Sequence, residues 1–316
     1  MTKLKGILLT EGMHGMMSQA EGLAEALGLE FIHEKIELNS FWKLIPPSLT
    51  PIKNFVFKND IDKDFNVVIS CGRKSVIPSI YLKQKYKNKI MNIHIQNPKV
   101  SLDNFDFIVA PEHDQLNGKN ILKSKGAIHY LKDKELSKYE SYLKPKLNKE
   151  KIVSLIVGGP NKYYDYSKKS LNEIFSKVKD NFISKGYQLI FIPSIRTPQN
   201  VIEEAKNYFD ENQIIITSVD KKAYLSSLKL ADHIVVTCDS TSMISEAAMT
   251  GKPIYIAQMP AIKKNSRFKK FFALFKSLNI TRDLENSVDN WNYEKLNETD
   301  KISGYIKDKL KNYDFS

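Results

Sequence analysis

The sequence predicts two doubly wound α/β domains in tandem, on three observations. Short apolar runs alternate with helix-length amphipathic segments along most of the 316 residues. Several of those runs are apolar throughout, as strands covered on both faces of a parallel sheet must be. A polar stretch near the midpoint, LKPKLNKEK at 143–151, has one proline and no apolar periodicity, so it reads as a linker.

In the first half, strands are predicted at 6–9, 31–33, 67–70, 90–95 and 107–109, with a helix at 18–27. In the second half, strands are predicted at 152–157, 188–192, 213–216, 234–236 and 253–256, with helices at 167–185 and 200–209. This gives a first domain over 1–145 and a second over 150–285. In the remaining segment, 286–316, a last helix at 293–311 packs back on the first domain. The halves share a pattern of elements and no repeated residues.

Composition narrows the class. The chain is 42% hydrophobic and 27% charged, as a soluble globular protein is. No apolar run reaches the roughly 18 residues that span a bilayer. The opening MTKLKGILLTEGMHG has too short an apolar core for a secretory signal and reads as a first strand. Cys71 and Cys238 lie far apart and form neither a disulfide framework nor a metal spacing, which favours the cytoplasm. The net charge of +12 favours an anionic partner such as a nucleotide, a nucleic acid or an acidic membrane. A lysine-rich solvated surface explains it equally well.

Open α/β sheets bind ligands at the carboxyl ends of their strands, so the loops there carry the functional reading. After 234–236 comes TCDSTSMISEAAMTGKP, in which Ser240, Thr241 and Ser242 crowd a helix start and Gly251 and Pro253 end that helix. One hydroxyl there is an ordinary cap, and several together suit a phosphate at the helix tip. Glu246 lies a turn further in. A capping box would place the cap at Met243, a poor capping residue, so capping does not account for the carboxylate, which could accept both hydroxyls of a ribose. After 152–157, GGPNKYYDYS offers Gly158 and Gly159, small enough for close approach of a phosphate. After 188–192, PSIRTP offers Ser194 and the forked cation of Arg196, suited to a diphosphate. Each loop alone reads as an ordinary turn, and the three in succession form the pattern.

The first half has fewer signals. Gly12 and Gly15 flank His14 after the first strand, and His14 is a candidate general base. Arg73 and Lys74 in CGRKS could meet an anionic acceptor. Glu112, His113 and Asp114 follow 107–109 and compete with His14 for the base role. His94, inside an apolar run, reads as a core residue. No H-E-x-x-H, Cys/His cluster or Walker loop occurs, so no metal is implied. In KKNSRFKKFFALFK at 263–276, Phe268, Phe271, Phe272 and Phe275 form one helical stripe among basic residues. That stripe fits an anionic membrane surface, or a core-facing helix with a lysine face.

The segments SCGRKSVIPSIYL, IQNPKV, VAPEHD, KGAIHYL, GGPNKYY, VVTCDSTSMISEAAMTGKPIYIA and FKKFFALFKSLNITRDLENSVDNWNYEKLNE, in that order, resemble the Elm-type mitochondrial-fission family. The resemblance covers nearly the whole chain, and bacterial members are regarded as glycosyltransferases. It implies a GT-B architecture, two Rossmann-like domains facing a central cleft, with the nucleotide sugar on the second domain. Gly158, Gly159, Ser194, Arg196, Ser240, Thr241, Ser242 and Glu246 would hold that donor, and in similar enzymes a Glu in a helix followed by Gly-x-Pro holds the ribose. Gly12, Arg73 and Lys74 would face the acceptor, and His14 or the group Glu112, His113 and Asp114 would take its proton.

The expected activity is metal-independent transfer of a sugar from a nucleoside diphosphate donor to an envelope glycan or lipid-linked acceptor. It takes place in the cytoplasm or at the inner face of the cell membrane, with peripheral contact to anionic lipid, no cofactor beyond the donor itself and no nucleic acid. Two rivals stand beside it: a non-catalytic, membrane-associated adaptor of the fission type, and a sugar-nucleotide epimerase, which can share the architecture.

Overall fold

The structure, a computed structural model, describes residues 4–61, 64–285 and 288–315. Met1 to Lys3 of the 1–145 assignment, and Asn286, Ser287 and Ser316 of the 286–316 assignment, therefore lie outside the described residues, as do Asp62 and Lys63. Two units divide the chain: Met1–Tyr130 with Asn297–Ser316, and Leu131–Leu296. The division at Tyr130/Leu131 comes earlier than the polar stretch at 143–151. The short helices α3 (Asp133–Lys138) and α4 (Glu140–Leu143) precede that stretch and belong to the second unit. They pack on α7 (Lys221–Leu230), where the Leu143 N–H donates to Ser226 Oγ at 3.1 Å.

In the first unit the order along the chain is β1 (Lys5–Thr10), α1 (His14–Leu27), β2 (Glu30–Lys35), β3 (Val67–Cys71), α2 (Val76–Tyr86), β4 (Met91–Ile95), β5 (Phe107–Pro111) and β6 (Ile121–Ser124), closed by α10 (Glu298–Lys311). The strands form a parallel sheet in the order β2-β1-β3-β4-β5-β6. Strand residues alternate between its two faces. Ile7, Leu9 and Val68 join α2 residues such as Val76 and Ile80 in one core. Leu8, Val67 and Ile69 join Leu23 of α1 and Ile306 of α10 in the other. Apolar residues at every strand position are what this double covering requires.

The second unit continues with β7 (Ile152–Val157), α5 (Lys168–Asn181), β8 (Gln188–Pro193), α6 (Gln199–Tyr208), β9 (Ile214–Ile215), then α7, β10 (His233–Thr237), α8 (Thr241–Ala248), β11 (Ile254–Ala257), α9 (Ser266–Ser277) and β12 (Thr281–Asp283). Its parallel sheet runs β12-β11-β10-β7-β8-β9. Ser167 Oγ caps α5 by accepting from the Ser170 N–H, and Asp220 caps α7 through the Lys222 and Ala223 N–H groups. These are ordinary starts that fix where each helix leaves its loop.

Several boundaries differ from expectation for local reasons. β6 and β12 are edge strands without a continuous apolar run, so periodicity does not reveal them. α1 starts at His14 and not at 18, which moves that histidine into the first turn of a helix. α10 starts at Glu298 and not at 293. α5 stops at Asn181, and a single 3-10 turn at Ile183–Lys185 follows before Gly186 at φ 89°.

Candidate functional site

The second sheet begins in its middle. The chain enters at β7, moves outward to β8 and β9, then returns to β10 on the other side of β7. The strand order therefore reverses between β7 and β10, the position where a doubly wound sheet opens a crevice at its carboxyl edge. The loops that the sequence singled out meet there. Gly158 donates its N–H to Thr237 Oγ1 at 2.8 Å, and Gly159 to Asp239 Oδ2 at 3.2 Å. Thr237 Oγ1 donates to Asp239 Oδ1 at 2.7 Å. The Tyr166 hydroxyl bonds Thr237 Oγ1 at 3.0 Å and donates to Asp239 Oδ1. From the β8 loop, Arg196 Nη2 pairs with Asp239 Oδ2 at 2.5 Å and Nη1 donates to the Gly159 carbonyl at 3.0 Å. The Asp239 side chain is fully buried, and that of Arg196 is 31% exposed. Burial first, then the neighbouring carboxylate, push the Tyr166 phenol well above its usual range, so it stays a donor.

This network gives the glycine pair an internal reason to lack side chains. A Cβ on Gly158 would lie 2.2 Å from Asp239 Oδ2, and one on Gly159 would lie 1.9 Å from the Arg196 carbonyl oxygen. Protein groups occupy the space beside both residues. Arg196 likewise has an internal partner, so its fork is already engaged by a carboxylate. Ser194 organises its own turn: its Oγ accepts from the Arg196 N–H at 3.2 Å and lies 3.2 Å from Thr197 Oγ1. Thr197 Oγ1 in turn reaches the carbonyls of Val157 and Gly158. The loop after β7 is also tied to the segment after β11, where Ile262 N–H meets the Tyr163 carbonyl at 2.8 Å.

Immediately after Asp239, Ser240 caps α8 by accepting from the Met243 N–H at 3.4 Å. Thr241 and Ser242 stand half-buried in the first turn, where the N–H groups and the positive end of the helix dipole open onto the carboxyl edge. Glu246 lies five residues into α8, roughly 8 Å along its axis. It is half-buried, and its Oε2 accepts from the Tyr224 hydroxyl of α7 at 2.7 Å. Asp239, Thr237 and Tyr166 were absent from the sequence-derived site, although all three stand in the quoted loops. A cavity of about 440 Å³ in the same unit, lined by Glu173, Lys177, Gln258 and Asp283 among others, includes none of the candidate residues.

In the first unit the order reverses between β1 and β3. Gly12, at φ 78°, and His14 follow β1; Gly72, at φ 94°, and Lys74 follow β3. Glu11 ties the two loops together, since its carboxylate pairs with Lys74 Nζ at 2.9 Å and accepts the Lys74 N–H at 3.1 Å. Sequence reasoning did not select Glu11. His14 is exposed at the first helical position of α1. Arg73 turns to the 43–45 segment, donating to the carbonyls of Ile45 and Lys43.

Glu112, His113 and Asp114 do not join this group. They form a turn after β5, two strands and roughly 10 Å beyond β3. There His113 is buried, with Nε2 3.8 Å from Asp114 Oδ1, while Glu112 is exposed. His94 is a core residue: Nδ1 lies 2.9 Å from Ser70 Oγ, and burial lowers its pKa to about 3. The α9 stripe faces inward, with Phe271 and Phe275 fully buried and Phe268 against Tyr163 and Tyr164, so its apolar side is occupied by protein. Among the described residues, no group of three or more His, Cys, Asp or Glu could hold a metal ion, and no helix is long and apolar enough to cross a membrane.

Comparison with known proteins agrees with this architecture. An uncharacterized protein of Rickettsia prowazekii is 28% identical, covering 96% of this chain and 98% of its own length. The mitochondrial fission protein ELM1 of Arabidopsis thaliana is 23% identical over 77% of this chain, and the match spans 64% of the plant protein, less than two thirds of its length. Among solved structures, Staphylococcus aureus MnaA with UDP aligns at a TM-score of 0.55 and 14% identity, covering 98% of this chain and 90% of that one. The fold is that of the GT-B glycosyltransferases and epimerases, two Rossmann-like units each built on a six-stranded parallel sheet. The family profile described as Mitochondrial fission ELM1 matches residues 14–310, and this chain belongs to that family.

Proposed function

We propose that the chain is a metal-independent glycosyltransferase whose second unit holds a nucleoside diphosphate sugar at the β7/β10 carboxyl edge. The observation that carries the reading is the junction of β10 and α8. Asp239 locks the loops after β7 and β8 against the strand end, so the first turn of α8 and Glu246 stand on a rigid base beside the switch point. Anions settle at such helix starts because N–H groups and dipole both favour them. Thr241 and Ser242 would meet the diphosphate, and Glu246, already an acceptor for Tyr224, would accept from the ribose hydroxyls. Because Arg196 is paired with Asp239, its role in this reading is to set the loops, with its exposed edge toward the leaving diphosphate. The UDP named with the S. aureus neighbour supports uridine diphosphate as the first nucleotide to test.

In the transfer, an acceptor hydroxyl oxygen bonds to the anomeric carbon. The bond from that carbon to the diphosphate oxygen breaks, and its electron pair leaves on the diphosphate. The hydroxyl proton passes to a general base. Location favours His14 for that base over Glu112, His113 and Asp114, because His14 shares the β1/β3 switch point with Gly12 and Lys74. The helix-tip charge that stabilises the departing diphosphate is already in place before the bond breaks, as electrostatic catalysis requires.

Calorimetric titration with UDP tests the donor assignment. Wild type binds, and Glu246→Ala lowers affinity at least about tenfold, the loss of one or two hydrogen bonds to a charged group. Equal affinities would remove Glu246 from the site. Product analysis with a UDP-sugar and no acceptor separates transfer from epimerisation, since an epimerase changes the sugar in the absence of any acceptor.

A further inference from the structure

Large apolar side chains on this protein are mostly covered, and the exceptions are not scattered evenly. Four of them fall in one short stretch of the first unit: Phe41 at 64% exposure, Leu44 at 83%, Leu49 at 74% and Phe55 at 56%. From Asn39 to Lys58 the chain carries Lys43, Lys53 and Lys58, all exposed, and no acid. The stretch is built from three 3-10 turns, Ser40–Lys43, Pro47–Leu49 and Asn54–Val56, and is held firmly in place. Asn39 donates twice across it, its backbone N–H to the Val56 carbonyl at 2.9 Å and its side-chain amide to the Phe55 carbonyl at 2.5 Å. Leu38 and Phe57 form an antiparallel bridge, and Thr50 Oγ1 donates to the Pro46 carbonyl at 2.9 Å. On its inner side Val56 and Phe57 join the sheet core. Its outer side keeps the apolar groups in water, with Trp42 packed edge-on to Phe41 at 4.8 Å and near Phe55 at 6.1 Å.

A rigid apolar platform whose own charges are all cations, with the acids Glu37 and Asp60 just beyond its two ends, has a definite chemical complement. We infer that residues 39–58 dock the first unit on an anionic lipid surface, with Leu44, Leu49 and Phe41 entering the interface and Lys43, Lys53 and Lys58 meeting lipid phosphates. Exposed apolar groups collected in one place mark an interaction surface, and the basic fringe selects a negatively charged one. A second copy of this chain would face its own three lysines across a two-fold contact, which the charge pattern disfavours. Arg73 connects the platform to the rest of the unit. It leaves the loop after β3 and donates to the carbonyls of Lys43 and Ile45, so the platform is anchored beside the β1/β3 switch point. A lipid-linked hydroxyl compound would thereby be presented near His14 and Lys74. The docking itself does not depend on the donor assignment.

The experiment is cosedimentation of the full chain with phosphatidylcholine vesicles, with and without phosphatidylglycerol. Wild type sediments with the anionic vesicles, weakly with the neutral ones, and less as salt is raised. The double variant Leu44→Ser/Leu49→Ser reduces partitioning by at least about tenfold at an unchanged melting temperature, because both side chains are exposed, and UDP affinity stays as in wild type. Brominated lipid quenches Trp42 emission in wild type. Absence of sedimentation with anionic vesicles, wild-type sedimentation of the double variant, or binding without quenching would each overturn the inference. So would a wild-type dimer that the double variant dissociates, since the platform would then belong to a second copy.

Discussion

Asp239 offers the sharpest test of how the second unit is held at its carboxyl edge. Asp239→Asn keeps shape and removes charge. It also turns a donor toward groups that already donate, namely the Gly159 N–H and Arg196 Nη2 around Oδ2, and Tyr166 and Thr237 around Oδ1. At least one of those donors loses its acceptor. Breaking a fully buried ion pair costs about 3–5 kcal/mol. Here Arg196 is 31% exposed and can rehydrate, which lowers the expected loss to about 2–3 kcal/mol. For a unit the size of Leu131–Leu296, that is a fall in Tm of roughly 4–12 °C by scanning calorimetry. The double variant with Arg196→Met should lose less than the sum of the single variants, because each single change strands the other partner. A variant within about 0.5 kcal/mol of wild type, or a double-mutant cycle additive within about 0.5 kcal/mol, would refute the argument that this pair clamps the loops.

His94 should make the first unit acid-sensitive. Burial holds its folded pKa at about 3 against an ordinary 6.5, so below 6.5 the unfolded chain binds a proton that the folded chain refuses. The associated stability is present above pH 6.5 and falls by about 1.4 kcal/mol per pH unit as pH drops toward 3. Urea melts of wild type and His94→Gln should converge along that slope, and a constant difference would contradict it. Phe275→Ala should cost about 3–5 kcal/mol in the same assay, since the ring is fully buried and packs 4.1 Å from Phe271; a change under 1 kcal/mol would return the stripe to the surface. If His14 is the base, His14→Ala lowers kcat by about 100- to 10,000-fold while UDP affinity holds; an unchanged kcat moves the role elsewhere.

The sheets were readable because doubly covered strands must be apolar at every position, and runs such as Ile152–Val157 have no competing explanation. Edge strands such as Thr281–Asp283 carry no such pattern, and their position follows only from pairing with β11. The loops were readable as a group and not residue by residue. Gly158, Gly159 and Arg196 do meet at the switch point, but sequence alone assigns a small residue and a cation to an absent phosphate as readily as to a neighbouring carboxylate. What decides between them is a contact across 80 residues of chain, Gly159 to Asp239, which no local signal contains.

That distinction changes which residues can report on the donor. Replacing Gly158, Gly159 or Arg196 disturbs the clamp whether or not a nucleotide ever binds, so a loss of activity there carries no information about the ligand. Glu246 is different. It accepts a hydrogen bond from Tyr224, a partner that can itself be changed to Phe. An effect of Glu246 on UDP affinity that survives Tyr224→Phe is not transmitted through the Tyr224 hydroxyl, and it supports a contact of the carboxylate with the nucleotide. If the effect vanishes with Tyr224, the carboxylate serves the helices, and the ribose must be sought along the first turn of α8 instead.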